Sequence, residues 1–202
     1  MSLIEPLLAN FVSNPLSQEQ LRLLQDYLDL LLSWNAKINL TAIREPQEIV
    51  RRHFGESLFA GEQLRPENGA RLSDLGSGAG FPGLPIAIRY PAIHVTLIES
   101  QQKKATFLRE VVRSLGIRNV EIYGGRAENS GLTSQIVTLR AVEKFQLTLP
   151  VARSLVGGGG RLALLISSAQ VKAAHRMTPE VGWQEPIAIP ESRQRVLLMG
   201  LC

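Results

Sequence analysis

Arg71-Leu72-Ser73-Asp74-Leu75-Gly76-Ser77-Gly78-Ala79-Gly80-Phe81-Pro82-Gly83 is the stretch whose reading decides the fold. Short apolar residues run into a glycine cluster, and the cluster runs into the helix-like segment Pro85 to Tyr90. That pattern is a strand, a tight turn and a helix N-terminus, with Pro82 suited to open the helix because its missing N–H is not needed there. Glycine permits backbone angles closed to other residues and lets a ligand approach the main chain. The free N–H groups of the first helical turn are expected to face that ligand. The spacing is G-x-G-x-G, unlike the dinucleotide pattern G-x-G-x-x-G, and Asp74 stands two residues before the first glycine. A carboxylate there repels a pyrophosphate and suits a cation. S-adenosylmethionine (SAM), with an ammonium, a sulfonium and no phosphate, meets that requirement.

Downstream the pattern alternates. Strands are expected at 71–75, 93–99, 119–123, 135–139, 161–166, 184–189 and 195–200, with helices near 83–90, 101–115, 143–156 and 168–176. Such alternation implies a mostly parallel sheet covered on both faces. Only Pro190-Glu191-Ser192-Arg193-Gln194 joins the last two strands, too little for a crossover helix, so they should be antiparallel. The expected fold is therefore α/β: a doubly wound, mostly parallel seven-stranded Rossmann-like sheet closing in an antiparallel hairpin. This is the layout of class I SAM-dependent methyltransferases. Gly157-Gly158-Gly159-Gly160 reads as a flexible turn before strand 161–166.

Upstream the signals are helical. Ser17 and Gln20 form a capping-box pattern, and Leu21, Leu24, Leu28, Leu31 and Leu32 recur at helical spacing to about Trp34. Pro46 suits a second helix start, with Ile49, Val50, Phe54, Ser57 and Leu58 on one face. Arg65-Pro66-Glu67-Asn68-Gly69 is the best linker. Residues 1–70 are accordingly expected to form a small helical cap and 71–202 the methyltransferase domain.

The 202 residues suffice for one α/β core and an appendage. Net charge is +4, unevenly spread: residues 1–70 hold six Lys/Arg against nine Asp/Glu, while 71–202 hold sixteen against nine. The basic excess lies in the glycine-turn half, where a polyanion would find its footing. Cys202 is the only cysteine, which excludes a disulfide framework, a C-x-x-C metal pair and a core thiol nucleophile. Three scattered histidines make no metal site, so none is expected. The apolar opening to Phe11 is short, interrupted by Glu5 and Pro6, and lacks a basic leader. No signal peptide or membrane span is read, and a cytoplasmic monomer is expected.

Glu99 ends the second strand, twenty-three residues after Gly76, where an acid can accept hydrogen bonds from both ribose hydroxyls of an adenosine; Ser100 follows it. NAD shares that ribose logic, so an NAD(P)-linked oxidoreductase is the competing reading, disfavoured by Asp74 and the hairpin. Gly125-Arg126-Ala127-Glu128 follows the third strand and should lie beside the adenine ring. The other reading is a surface turn with an Arg–Glu pair. Arg140 follows the fourth strand, at the edge where the methyl group should sit. No Asn/Asp-Pro-Pro-aromatic run stands there, as amino-group methyltransferases carry, and no cysteine, as carbon-5 pyrimidine enzymes need. An arginine suits phosphate or the O6/N7 edge of guanine, its alternative role being a pair with Glu143. Guanine N7 has a lone pair and no proton, so its direct in-line attack on a sulfonium methyl needs no general base. Lys103, Lys104, Arg193 and Arg195 are candidates for a basic rim; His53 reads first as a satisfied core histidine.

These motifs together resemble the bacterial small-subunit ribosomal RNA guanine-N7 methyltransferase family, also called RsmG or GidB. The likeness rests on Trp34-Asn35, Asn39-Leu40-Thr41, Arg52-His53 with Ser57-Leu58, Asp74 through Gly83, Lys103, Phe107-Leu108-Arg109, Gly125 through Glu128, and Arg140-Ala141. It implies methylation of N7 of guanine 527 in the 530 loop of 16S rRNA, with the RNA or the 30S particle as partner. By the same resemblance Asp74, Gly76, Ser77, Gly78, Gly80, Phe81, Glu99, Ser100, Arg126, Ala127, Glu128 and Arg140 would hold SAM. Arg140 would also serve catalysis. Asn39, Arg52, His53, Lys103, Lys104, Arg109, Arg193 and Arg195 would meet RNA. The chain departs from the family at Glu56, where Asp is usual, at Ser134-Gln135 and Leu139, at Leu165 in place of a lysine, and at Ser192-Arg193-Gln194. Those departures leave open a divergent, nonenzymatic rRNA-binding or assembly factor.

Overall fold

The computed structural model describes residues 4–141 and 144–202. The chain opens with α1 (Ile4–Leu8) and α2 (Gln18–Asn35). Ser17 caps α2 as expected: its Oγ accepts from the Gln20 N–H at 3.2 Å, and Gln20 Oε1 accepts from the Ser17 N–H at 2.9 Å. A helical rod follows, comprising α3 (Pro46–Ile49), a π-helical turn (Val50–Gly55) and α4 (Glu56–Leu64). Pro46 stands in its first turn, and Ile49, Val50, Phe54, Ser57 and Leu58 are all buried. The wide turn itself was not legible, since the apolar spacing also fits an α-helix. Phe11 presses against it, and a Cβ at Gly55 would lie 2.6 Å from the Phe11 ring.

The sheet contains β1 (Arg71–Leu75), β2 (His94–Ile98), β3 (Val120–Tyr123), β4 (Ser134–Arg140), β5 (Val156–Ser167), β6 (Gly182–Trp183), β7 (Ile187–Ala188) and β8 (Arg195–Leu201). Its order is β3-β2-β1-β4-β5-β8-β6, with β7 also pairing β8. The strands from β3 to β5 run parallel; β8 is antiparallel to β5, and both β6 and β7 are antiparallel to β8. The expected sixth strand is thus two short pieces, interrupted at Gln184-Glu185-Pro186, where Pro186 has no N–H for the ladder. The four glycines are corrected more substantially. They belong to β5: Val156 pairs Ser134 and Arg161 pairs Ile136, so the glycines bulge out of one continuous strand. Cys202 clasps the bulge, accepting from the Gly159 N–H at 2.8 Å and donating to the Gly160 carbonyl at 2.9 Å.

Helices α5 (Gly83–Arg89) and α6 (Gln102–Leu115) lie among the connections, as do α7 (Phe145–Ser154) and α8 (Val171–Met177). The expected start of α7 at Glu143 lies outside the described residues. Strand side chains alternate between two apolar clusters. Leu72, Ile136, Ala163 and Leu165 join Leu24, Tyr27, Phe54 and Leu58 of the helical cap, together with Leu84 and Phe107. Val137, Leu139, Leu162 and Leu164 meet Leu149 and Ala152 of α7 on the opposite face. Residues 4–70 therefore share a core with one face of the sheet. By the same two-residue period, Arg140 projects on the side of Ile136 and Thr138, toward the cap. That placement decides the arginine's surroundings.

Candidate active site

The crevice forms where β1, β2 and β4 end, beside the reversal of strand order at β1, which is where ligands of open α/β sheets sit. Its floor is the turn after β1. Gly76, Gly78 and Gly80 have φ of 69°, 58° and 99°, the left-handed region that glycine enters without penalty. A Cβ on Gly80 would also lie 2.5 Å from Leu84 Cδ1 and 2.6 Å from Tyr27 Oη. The Tyr27 hydroxyl donates to the Ala79 carbonyl, and Tyr27 stacks on Phe81 at 5.4 Å. An N-terminal helix thus grips the turn from behind.

Asp74 does not face the crevice. It is fully buried: Oδ2 accepts from the Gly83 N–H at 3.0 Å and Oδ1 from the Thr138 hydroxyl at 2.8 Å. Two expectations are corrected together. The carboxylate is buried beneath the turn and does not line the crevice, and it occupies the α5 N-terminus that was expected to point at a ligand. Burial raises its pKa to about 6, while Thr138, Gly83, Ser77 and Arg140 pull the other way. Asp74 ties β1, β4 and the glycine turn together and lends a buried negative charge from below.

Glu99 does line the crevice. Its Oε2 accepts from the Gly78 N–H at 2.9 Å and its Oε1 from the Gln101 N–H at 2.7 Å. Each carboxylate oxygen keeps a further lone pair, so Glu99 can shape the turn and still accept two hydroxyls. Two adjoining cavities of ≈ 410 and ≈ 380 Å³ share Gly76, Ser100, Lys144 and Thr148. Ser77, Gly78, Phe81, Glu99, Lys104 and Arg140 line the first; Arg126, Ala127 and Glu128 line the second. Ala127 opens a short 3-10 turn, and its side chain is buried.

Arg140 ends β4 and is 8% exposed. Its Nη2 donates to the Arg52 carbonyl at 2.8 Å and to His53 Nδ1 at 2.9 Å, and lies 3.3 Å from Glu56 Oε2. Glu56 is shared, because its Oε1 lies 2.5 Å from Arg195 Nη2. The expected alternative partner, Glu143, lies outside the described residues. The guanidinium is therefore held by the π-helical turn while the residue still lines the crevice. His53 Nε2 lies 2.7 Å from Thr41 Oγ1, and the ring stacks on Phe81 at 4.8 Å. Because Arg140 only donates, His53 Nδ1 must accept, so the proton resides on Nε2 and points to Thr41. Burial, then Arg140 and the neighbouring arginines, lower the His53 pKa to about 2. The ring is a neutral strut, as first read, and its expected contact with RNA is corrected: both nitrogens are engaged inside the fold.

Of the other residues expected at RNA, Arg52, Lys103, Arg109 and Arg193 are exposed. Asn39 is exposed too, but its Oδ1 accepts from Arg44 Nη2 at 3.0 Å. Arg195 is mostly withdrawn into its bond with Glu56. The sequence reading did not single out Thr41 as a wall of the crevice, nor Gln101, Lys144 or Thr148. Exposed Leu147 at the rim was likewise missed, although an apolar residue breaking a polar helix face was the available signal. Among the described residues, no group of three His, Cys, Asp or Glu side chains could hold a metal, and no helix is long and apolar enough to cross a membrane.

The strand order with its reversed β8, and a glycine turn bridged to an acid at the end of β2, define the Rossmann-like fold of SAM-dependent methyltransferases. Solved structures share it: TYW2 of P. horikoshii in complex with MeSAdo aligns over 82% of this chain and 65% of its own at a TM-score of 0.63 and 17% identity. A predicted O-methyltransferase from Agrobacterium tumefaciens aligns over 72% of this chain and 79% of its own, at 0.59 and 22% identity. The particular family follows from sequence. Residues 20–185 match the family model GidB, rRNA small subunit methyltransferase G, and the chain belongs to that family. Ribosomal RNA small subunit methyltransferase G of Chloroflexus aggregans is 39% identical over 92% of this chain and 83% of its own length. The protein of that name from Xylella fastidiosa strain 9a5c is 46% identical over 67% of this chain and 64% of its own.

Proposed function

We propose that this chain transfers the methyl group of SAM to N7 of a guanine in 16S rRNA, guanine 527 of the 530 loop. The observation that carries the reading is the convergence of the glycine turn, Glu99 and Arg140 on one crevice in a chain of this family. The residues present fit SAM. Gly76 and Gly78 line the crevice without a side chain, Gly80 lets the turn close onto Leu84 and Tyr27, Glu99 retains lone pairs for ribose hydroxyls, and the Ala127 loop walls the other end. SAM would supply an electrophilic methyl group on a sulfonium. What this chain supplies is placement and charge. Asp74 and Glu99 contribute negative charge below and beside the turn. Lys104, Arg140 and Lys144 line the same crevice as cations suited to a carboxylate or to RNA phosphates.

Guanine N7 bears no proton, so no base is required, and the site offers none in the obvious place. His53 is neutral with its acceptor nitrogen occupied by Arg140. Arg140 is fixed by two acceptors of the π-helical turn, the Arg52 carbonyl and His53 Nδ1, and by Glu56 at the start of α4, which suits it to orient the guanine or its phosphate. The test is methyl transfer from labelled SAM to 16S RNA or 30S particles lacking the modification, followed by mapping of the modified base. Label at N7 of the 530-loop guanine supports the reading. Label at another atom, or none with SAM bound, removes it.

A further inference from the structure

Thr41 lines the crevice beside His53, Ala79 and Phe81, and no step of the methyl transfer described above uses it. It is half-buried, and its hydrogen bonding is dictated by the fold. A threonine hydroxyl has one proton and two lone pairs. Both lone pairs are taken. His53 carries its ring proton on Nε2, because Nδ1 accepts from Arg140, and Nε2 lies 2.7 Å from Thr41 Oγ1. The Ile43 N–H donates to the same oxygen at 3.2 Å. The Thr41 proton must therefore be given away, and no acceptor for it stands among the described residues. Arg140, His53 and Thr41 form a row of hydrogen bonds with one possible direction, since a guanidinium has no lone pair with which to reverse it. A hydroxyl obliged to donate, at the wall of a ligand crevice, calls for an acceptor on the ligand.

We infer that Thr41 is a specificity-determining residue for SAM, its hydroxyl donating to the carboxylate at the amino-acid end. The inference rests on the SAM reading above and adds how that end is recognised. Of the two adjoining cavities, Arg126, Ala127 and Glu128 line only one, and Thr41, His53, Ala79 and Phe81 line only the other. With the adenine at the Ala127 loop and the ribose at Glu99, the amino-acid end falls in the cavity that Thr41 walls. That end carries an ammonium, which only donates, and a carboxylate, which only accepts. The carboxylate alone can take the proton, so the one-way row also fixes which way round the amino-acid end sits. Guanine O6 is the competing acceptor. The carboxylate is favoured because hydrogen bonds to a charged acceptor are roughly twice as strong, and because Lys104 and Arg140 line the same cavity.

The experiment titrates the full chain calorimetrically with S-adenosylhomocysteine and with methylthioadenosine, two thioethers that differ by the amino-acid end. A ligand too weak for direct heats is read by displacement of the other. Wild type is compared with Thr41→Val, which keeps the shape and loses the hydroxyl, and with Thr41→Ser, which keeps the hydroxyl. Thr41→Val is expected to weaken S-adenosylhomocysteine roughly tenfold and methylthioadenosine less than about twofold. Thr41→Ser should stay within about threefold of wild type for both. Wild type alone supplies a second measurement: the His53 Nε2 resonance should shift with S-adenosylhomocysteine and not with methylthioadenosine. Equal losses of both ligands in Thr41→Val, or equal His53 shifts, would make Thr41 a structural support and overturn the inference. Unchanged S-adenosylhomocysteine binding in Thr41→Val would also overturn it, and slowed methyl transfer to RNA beside it would assign the proton to guanine. A wild type that binds neither SAM nor S-adenosylhomocysteine ends the SAM reading itself.

Discussion

Replacing Asp74 with asparagine separates its structural task from its charge. The asparagine carbonyl can accept from the Gly83 N–H, and its amide can donate to Thr138 Oγ1, so both contacts of the carboxylate survive. What disappears is a negative charge in a fully buried place. Burial lifts the pKa from 3.8 to about 6, a shift of roughly two units and so about 3 kcal/mol. The sign follows from linkage. Between pH 3.8 and about 6 the unfolded chain ionises first while the folded chain keeps its proton, so folded stability falls as pH rises through that window. Asp74→Asn has no proton to lose there. It should match wild type near pH 4 and exceed it by about 2–3 kcal/mol at pH 7.5. The assay is urea denaturation of both chains across pH 4 to 8, followed by circular dichroism. The same substitution should weaken SAM binding by roughly tenfold, since a charge favouring a cationic ligand is gone. A stability difference that is flat with pH, or a variant less stable than wild type at pH 7.5, would refute the reasoning.

Three further outcomes are expected. Glu56→Ala leaves Arg140 and Arg195 buried without their carboxylate and should destabilise the fold by about 3–5 kcal/mol in the same denaturation assay. Gly80→Ala places a methyl group against Leu84 and Tyr27 at a φ of 99°, and should abolish SAM binding in calorimetry or leave an unfolded chain. The His53 ring, with its pKa lowered to about 2, should show no imidazole titration by NMR from pH 5 to 8, and the pH–rate profile should carry no limb from it.

The fold was legible wherever a local pattern had one physical outcome. Strand, glycines and helix at 71–89 could only be a βα turn, and the five-residue link 190–194 could only join antiparallel strands. The position of Glu99 was legible because a residue directly after β2 must lie at the crevice edge of the sheet, and it lines that crevice. What local pattern could not reveal was the direction of side chains that depend on the cap. Arg140 was expected to meet substrate or to pair with Glu143, but the two-residue period turns it toward a π-helical turn that no spacing rule announces. Asp74 was read as a ligand because its position in the motif is right; its burial depends on Thr138, sixty-four residues later. The glycine run misled for a related reason. Alone it reads as a turn, and only the clasp by Cys202, at the far end of the chain, keeps it within β5.

The account stands on a sulfonium nucleoside seated over the glycine turn and held by Glu99. Calorimetric titration of wild type and Glu99→Gln with SAM, and separately with NAD, tests this most directly. One SAM site in wild type is predicted, weakened about tenfold or more when the Glu99 charge is removed, with no heat from NAD. Saturable NAD binding with SAM excluded, or a Glu99→Gln chain that binds SAM as wild type does, would contradict it.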